Sequence, residues 1–152
     1  MFLIDSHTHL YFPDFQSDLD QVIERAQAAG VRYFVNIGTD LETSKQAISL
    51  AERFDFMYAT VGFHPHDAKA VTKEGMEEIE KLTTHPKAVA IGEVGLDFYK
   101  NDSSEVVQRE ILVRFFEIAK ARNLPLVLHI RDAYEPMRSE EHTSELQSPN
   151  TI

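Results

Sequence analysis

The chain has 152 residues, enough for one ordinary domain, and its 43% hydrophobic and 26% charged content is typical of a globular protein. Its formal net charge of −10 argues against a general nucleic-acid-binding surface, although divalent cations held in a site reverse the charge locally. It contains no cysteine, no apolar run that could span a bilayer and no signal-peptide pattern, so we expect a cytoplasmic protein without disulfides, thiolate metal ligands or membrane association.

Strand-like and helix-like segments alternate along the sequence. In chain order the pattern predicts a strand at 2–5, a helix with the stripe Leu19, Val22, Ile23 and Ala26, a strand at 33–37, a helix with Leu41, Ser44, Ala47, Ile48 and Ala51, a strand at 57–61, a short helix with Met76, Ile79 and Leu82, a strand at 88–91, a longer helix with Val107, Ile111, Phe115 and Ile118, and a strand at 126–129. Ser17 and Asp40 are the predicted caps of the first two helices, and Gly30 ends the first. Repeated βα units without a glycine-rich dinucleotide turn favour an α/β TIM barrel, of which about five of the eight units are present.

Metal-ligating residue types follow the carboxyl ends of the predicted strands. In chain order they are His7 and His9, His64 and His66, Glu93, and His129 with Arg131. A TIM barrel gathers these strand ends at one mouth, where it keeps its chemistry, whereas scattered core histidines would not be sorted in this way. A further histidine, His85, lies at the opposite end of a strand and is expected to be a loop residue.

His7 and His9 are spaced to face the same side of a strand, which makes half of a site for a divalent cation. A chance pair of histidines on a solvent-exposed loop is the alternative. Glu93 can bridge two cations, with His7 and His9 holding one of them and His129 helping to hold the other. Without cysteine, the candidates are Zn, Mg, Mn, Ni or Fe. Two cations roughly 3.5–4 Å apart suit hydrolysis of phosphate esters, because one activates a water molecule and both stabilise phosphoryl charge.

The remaining polar groups at the predicted mouth each allow two interpretations. His64 and His66 could contact a phosphate or donate a proton, or they could make structural hydrogen bonds in a polar loop. Arg131 could bind a phosphate with two parallel hydrogen bonds, or it could form an ion pair with Asp132 or Asp97.

Five blocks of the sequence together resemble the TatD family of metal-dependent hydrolases, a branch of the amidohydrolase-like TIM barrels. They are DSHTHL at 5–10, GFHPHDA at 62–68, GEVGLDFYK at 92–100, QRE at 108–110 and LPLVLHIRDA at 124–133. The resemblance extends from the first residue to about Met137. It implies a metal-dependent deoxyribonuclease with exonuclease action on DNA, with RNA as a second candidate substrate and no protein partner. Carried over by position, it makes His7, His9, Glu93 and His129 the ligands of two divalent metal ions, with Glu93 bridging.

The family has two further ligands that have no counterpart in this sequence, a histidine after strand six and an aspartate after strand eight. We therefore expect residues 1–137 to form a partial barrel with exposed edges at the first and fifth strands, and the expressed chain to be poorly soluble or partly ordered. Two alternatives remain for the function. One is the C–N or ester hydrolysis of the wider amidohydrolase superfamily, although a glutamate stands where its carboxylated lysine is usual. The other is an inactive truncated fragment.

The end of the chain differs in character from the rest. Residues 138–148 read RSEEHTSELQS, without an apolar period, and resemble the in-frame translation of a widely used sequencing adapter. We therefore predict that 138–152 are a non-native tail outside the fold. For the same reason, His142 is not a candidate for the missing histidine ligand.

Overall fold

A computed structural model describes residues 1–100 and 102–143, with side chains for all of these except 141–143. In chain order its elements are β1 (Leu3–Thr8), α1 (Leu19–Ala28), β2 (Val31–Ile37), α2 (Leu41–Arg53), β3 (Met57–Val61), α3 (Lys73–Leu82), β4 (Ala88–Asp97), α4 (Glu105–Arg122), β5 (Leu126–Arg131) and α5 (Tyr134–Thr143). Short 3-10 helices lie at Pro13–Phe15 and Pro65–Ala70. The five strands pair in parallel in sequence order and curl into a half-barrel, which confirms the predicted fold class.

The core lies between the sheet and its helices, with α2 packed on β3 and α4 on β4. Its largest fully buried side chains include Phe115 and Phe116 of α4, Met57 of β3 and Ile79 of α3. Phe115 and Ile79 belong to the apolar stripes predicted for their helices and Met57 to a predicted strand, whereas Phe116 lies outside the predicted stripe of α4. None of the helices in the described ranges is long and apolar enough to cross a membrane.

The predicted helix ends hold for α2 and are shifted for α1. Asp40 caps α2 through a reciprocal capping box. The Oδ1 of Asp40 accepts from the Thr43 N–H at 2.7 Å, and the Thr43 hydroxyl accepts from the Asp40 N–H at 2.9 Å. The cap of α1 is Asp18 rather than Ser17, and its side chain makes no capping hydrogen bond. Gly30 follows α1 with a φ of +100°, as expected of a glycine that ends a helix.

The strands carry more of the site than predicted. β4 extends through Asp97, so Glu93 lies within the strand and not after it; His7 and His129 likewise lie inside β1 and β5. The predicted fourth strand ended at 91 because Gly92 and Gly95 interrupt the run of apolar residues there. In the structure those glycines lie within the ladder to β5, which has a register shift between Ile91 and Val94.

The two outer strands are the edges of the open sheet, as predicted. β1 pairs only with β2 among the described strands, and its residues Leu3 and Ile4 are 53% and 56% exposed. The middle of β5 is half-buried.

The last helix, α5, continues through Thr143, so residues 138–143 of the predicted tail are helical. The helix is anchored by the buried side chain of Met137 and by an ion pair between Arg109 of α4 and Glu140 at 2.7 Å. Arg and Glu are also good helix formers, so a helix begun at Tyr134 can continue through them. Residues 144–152 of the predicted tail, and the side chain of His142, lie outside the described part of the chain.

Candidate metal centre

Three strands bring the predicted ligands to one mouth of the half-barrel. His7 lies near the end of β1 with His9 just beyond it, Glu93 is in β4, and His129 is in β5. His64 directly precedes the 3-10 helix that follows β3. The ligand atoms form two groups, His7 with His9 and Glu93, and His64 with Glu93 and His129; within each group they lie within 4.8 Å of one another. Glu93 belongs to both groups.

A glycine allows β4 and β5 to approach closely at this point. Gly95 pairs with His129 across the ladder and has a φ of +150°. A Cβ atom at this position would collide with the backbone oxygen of His129, so a larger residue would push the strands apart. The close approach leaves Glu93 Oε1 2.9 Å from His129 Nδ1.

The first group is oriented by a backbone carbonyl. The Nδ1 of His9 lies 3.0 Å from the oxygen of Ile37, and the hydroxyl of Tyr11 donates to the same oxygen at 2.6 Å. If Nδ1–H of His9 donates to this carbonyl, Nε2 remains as the nitrogen with a free lone pair. His7 approaches Glu93 from the exposed side, with Nε2 3.5 Å from Oε2.

The second group is oriented by Asp97, whose side chain is completely buried. Its Oδ2 lies 3.0 Å from Nε2 of His129 and 2.7 Å from Nε2 of His66. Its Oδ1 accepts hydrogen bonds from the backbone N–H groups of Tyr99 and Lys100, at 3.1 and 3.0 Å. On the other side of the imidazole, Nδ1 of His129 lies 3.1 Å from Nε2 of His64.

The electrostatics favour the neutral forms of His9 and His64 and the ionised form of Glu93. Burial and the nearby charge of His129 lower the pKa of His64 to about 4, and burial together with His7 lowers the pKa of His9. Burial alone would raise the pKa of Glu93, but its hydrogen bond with His129 and the charges of His64 and His7 outweigh burial and lower it. The pKa of His129 is raised by its hydrogen bond to Glu93, against the effect of burial.

This donor set fits divalent cations. Imidazole nitrogens and a carboxylate are the ligands that zinc, manganese, nickel and iron take, and Glu93 can serve two cations through its two oxygens. In the absence of a cation, the pairing of His129 with Glu93 keeps a proton between the two groups. A cation would replace that proton.

His66, Arg131 and His85 lie outside the two groups of candidate ligands. His66 reaches Asp97 and not the two groups of candidate ligands. The guanidinium of Arg131 lies 3.7 Å from the ring centre of Tyr99, which is 60% exposed, and among the described residues no ion pair joins it to Asp97 or Asp132. His85 lies at the other end of the sheet, 3.2 Å from Glu52, as expected of a loop histidine.

The structural roles of Asp97 and Tyr11 were not predicted from the sequence. Asp97 was considered only as an ion-pair partner of Arg131, although its place at the end of the Gly95-Leu96-Asp97 segment after Glu93 puts it at the mouth. Tyr11 could have been noted because it lies two residues after His9, but its acceptor is a carbonyl from β2 that only the fold brings near.

The sequence matches a family model described as TatD related DNase over residues 4–148. The chain is 42% identical over 133 residues to a protein of Bacillus subtilis named uncharacterized metal-dependent hydrolase YabD, with 88% of this chain and 52% of that protein covered. It is 39% identical over 133 residues to a protein of Enterobacter lignolyticus named 3'-5' ssDNA/RNA exonuclease TatD, with 88% of this chain and 51% of that protein covered.

The fold is shared with a solved structure, that of YjjV, a TatD homolog from Escherichia coli. The two structures agree with a TM-score of 0.88 at 29% sequence identity, with 95% of this chain and 56% of that chain covered. The chain therefore spans about half the length of the curated relatives and of the solved structure that it matches.

Proposed function

The chain belongs to the family of TatD-related DNases, and from this we propose that its site hydrolyses phosphodiester bonds of single-stranded DNA with two divalent cations. The proposal includes exonuclease action and RNA as a further substrate, because relatives named 3'-5' ssDNA/RNA exonuclease are 36–39% identical to this chain. The observation that carries it is the position of Glu93 between two groups of histidines.

In this proposal His7 and His9 hold one cation, His129 helps to hold the second, and Glu93 bridges them. Bound cations would activate water as the nucleophile and stabilise the negative charge of the phosphoryl group. The protein orients the ligands: the Ile37 carbonyl faces Nδ1 of His9, and Asp97 faces Nε2 of His129. Cations in the site would also offset the formal charge of −10, which otherwise repels a nucleic acid.

Arg131 and Tyr99 are the proposed substrate-binding groups outside the metal ligands. Both are exposed at the end of β4 and β5, beyond Asp97 and His129. The stacking of the guanidinium on the Tyr99 ring holds a positive charge in place and leaves its N–H groups to bind a phosphate. His66 has a supporting role, because its Nε2 is already engaged by Asp97 at 2.7 Å.

The test combines cation binding and catalysis in one set of proteins. Mn²⁺ and Zn²⁺ are titrated calorimetrically into the wild-type chain and into Glu93→Gln, and each protein is assayed on a labelled single-stranded DNA oligonucleotide. Glu52→Gln is the matched control, because Glu52 also contacts a histidine, His85, but lies at the opposite end of the sheet.

We expect two cations per chain for the wild type and the control. Glu93→Gln should bind fewer than one and lose roughly 100-fold or more in cleavage rate, more than the 10- to 100-fold typical of residues that only orient a ligand. Absence of cation binding to the wild type would refute the proposal. Turnover of a cyclic amide in place of DNA would reassign the site to C–N hydrolysis.

A further inference from the structure

The backbone fixes which nitrogen of His64 carries hydrogen. In the turn His64-Pro65-His66, the Nδ1 of His64 accepts from the backbone N–H of His66 at 3.2 Å. A backbone N–H can only donate, so Nδ1 must have the free lone pair, and neutral His64 carries its hydrogen on Nε2.

A second turn in the chain repeats this arrangement away from the site. In His85-Pro86-Lys87, the Nδ1 of His85 accepts from the backbone N–H of Lys87 at 3.2 Å. Its Nε2 lies 3.2 Å from the carboxylate of Glu52, which is an acceptor when ionised. Both contacts of His85 therefore require hydrogen on Nε2, and the same local sequence gives the same orientation at His64.

In His129 it is Nε2 that faces a fixed partner, and Nδ1 points into the site. Its Nε2 faces the buried carboxylate of Asp97, which already accepts hydrogen bonds from two backbone N–H groups. Neutral His129 therefore donates from Nε2, and its lone pair lies on Nδ1, 2.9 Å from Glu93 Oε1. Two lone pairs that face each other at this distance repel, so either a proton or a metal cation lies between or beside them, and a bound cation would take the place of the proton that His129 shares with Glu93.

We propose that the two histidines have different tasks, His129 as a cation ligand through Nδ1, oriented by Asp97, and His64 as an Nε2–H donor to a phosphate oxygen of the substrate. The inference rests on the proposed function and deepens it. Although His64, Glu93 and His129 lie within 4.8 Å of one another, a cation ligand needs a lone pair, and that of His64 faces the backbone of His66. The Nε2 of His64 lies 3.1 Å from Nδ1 of His129, so its hydrogen would be beside the place where a substrate oxygen meets the cation. Asp97 is a positioning residue.

The first test reads the hydrogen positions directly. Long-range ¹⁵N–¹H NMR spectra of the full chain distinguish protonated from unprotonated imidazole nitrogens, without added metal and with Zn²⁺, and His85 is the internal reference. We expect hydrogen on Nε2 of His64 and His85 in both states, and in the Zn²⁺ sample hydrogen on Nε2 of His129 with a shifted Nδ1. Hydrogen on Nδ1 of His64, with or without Zn²⁺, would overturn the inference.

The second test separates ligand from donor by substitution. His64→Phe should bind as many cations as the wild type in equilibrium dialysis, whereas His129→Gln should bind one fewer. The affinity of His64→Phe for a thymidine oligonucleotide should fall about 10-fold, as for one lost hydrogen bond to a charged oxygen. Asp97→Asn should weaken cation binding by 10- to 100-fold and remove the preference of His129 for hydrogen on Nε2.

The outcomes distinguish this inference from the proposed function. Loss of a cation in His64→Phe would overturn the donor role while leaving a two-cation site in place. A wild-type chain that binds no cation would refute the proposed function and the ligand role of His129. The spectrum without metal would then still decide the hydrogen position of His64.

Discussion

Asp97 is a buried carboxylate that connects two histidines to the backbone of the segment that follows β4. Burial alone would raise its pKa, but the N–H of Lys100 and the hydrogen bonds with His129 and His66 hold the pKa well below its usual range. The side chain is therefore ionised in the folded protein and acts only as a hydrogen-bond acceptor. A charge buried in this way contributes to stability as well as to the site, because all its oxygens are satisfied.

We expect Asp97→Asn to reduce stability more at pH 5 than at pH 3. The pKa of Asp97 is lower in the folded than in the unfolded chain, where it is about 3.9, so its contribution to the free energy of unfolding is complete above that value and declines as pH falls. Urea denaturation of wild type and variant at both pH values measures the difference. Asp55→Asn, at an exposed position, should have little effect at either pH. Equal losses for Asp97→Asn at both pH values would contradict the prediction.

At the scale of single residues, the sequence was enough to nominate the candidate ligands but not their orientation. His7, His9, Glu93 and His129 could be found because side chains near the ends of parallel strands meet at one mouth. Which nitrogen each histidine presents depends on partners distant in sequence, such as the Ile37 carbonyl for His9 and Asp97 for His129. Those contacts form only when the strands pair, and no local sequence pattern specifies which residues of different strands become neighbours.

At the scale of elements, helices were predicted more accurately than strands. The apolar stripe of α2 has the helical period, and the capping signal of Asp40 lies directly before it. β4 was cut short because Gly92 and Gly95 read as loop residues, whereas they provide room for β5. The 3-10 helix Pro65–Ala70, which begins beside His64, was not predicted because its proline and polar residues have no periodic signal.

The capping box of α2 predicts a measurable cost for losing it. Asp40→Ala removes the acceptor of the Thr43 N–H and should lower the free energy of unfolding by about 0.5–2 kcal/mol. Asp18→Ala is the matched control, because Asp18 occupies the same position of α1 without a capping hydrogen bond. Thermal or urea denaturation measures both. A loss for Asp18→Ala as large as that for Asp40→Ala would show that the capping hydrogen bond is not what stabilises α2.

At the scale of the whole molecule, the alternation of strands and helices was enough to predict a curved, parallel α/β sheet of the TIM-barrel type. The same alternation predicted its open edges, since five strands cannot close a barrel that requires eight. The edge strand β1 combines unpaired backbone groups with the exposed apolar side chains of Leu3 and Ile4, and the exposed Phe2 directly precedes it. Natural sheets protect such edges with charges, with proline or with a covering element, and a bare apolar edge favours pairing between chains.

We therefore expect Ile4→Lys to increase the soluble fraction of the expressed chain and to reduce its self-association. Ile4 is 56% exposed, so the substitution removes little buried surface, while a lysine on the edge opposes strand pairing with a second copy. Val106→Lys is the matched control, since Val106 is a β-branched residue that is 64% exposed on α4, away from any strand edge. Sedimentation velocity at several concentrations measures the association. If both substitutions increased solubility equally, added charge alone would be the cause. If neither did, exposure of the β1 edge would not be what limits the solubility of this half-barrel.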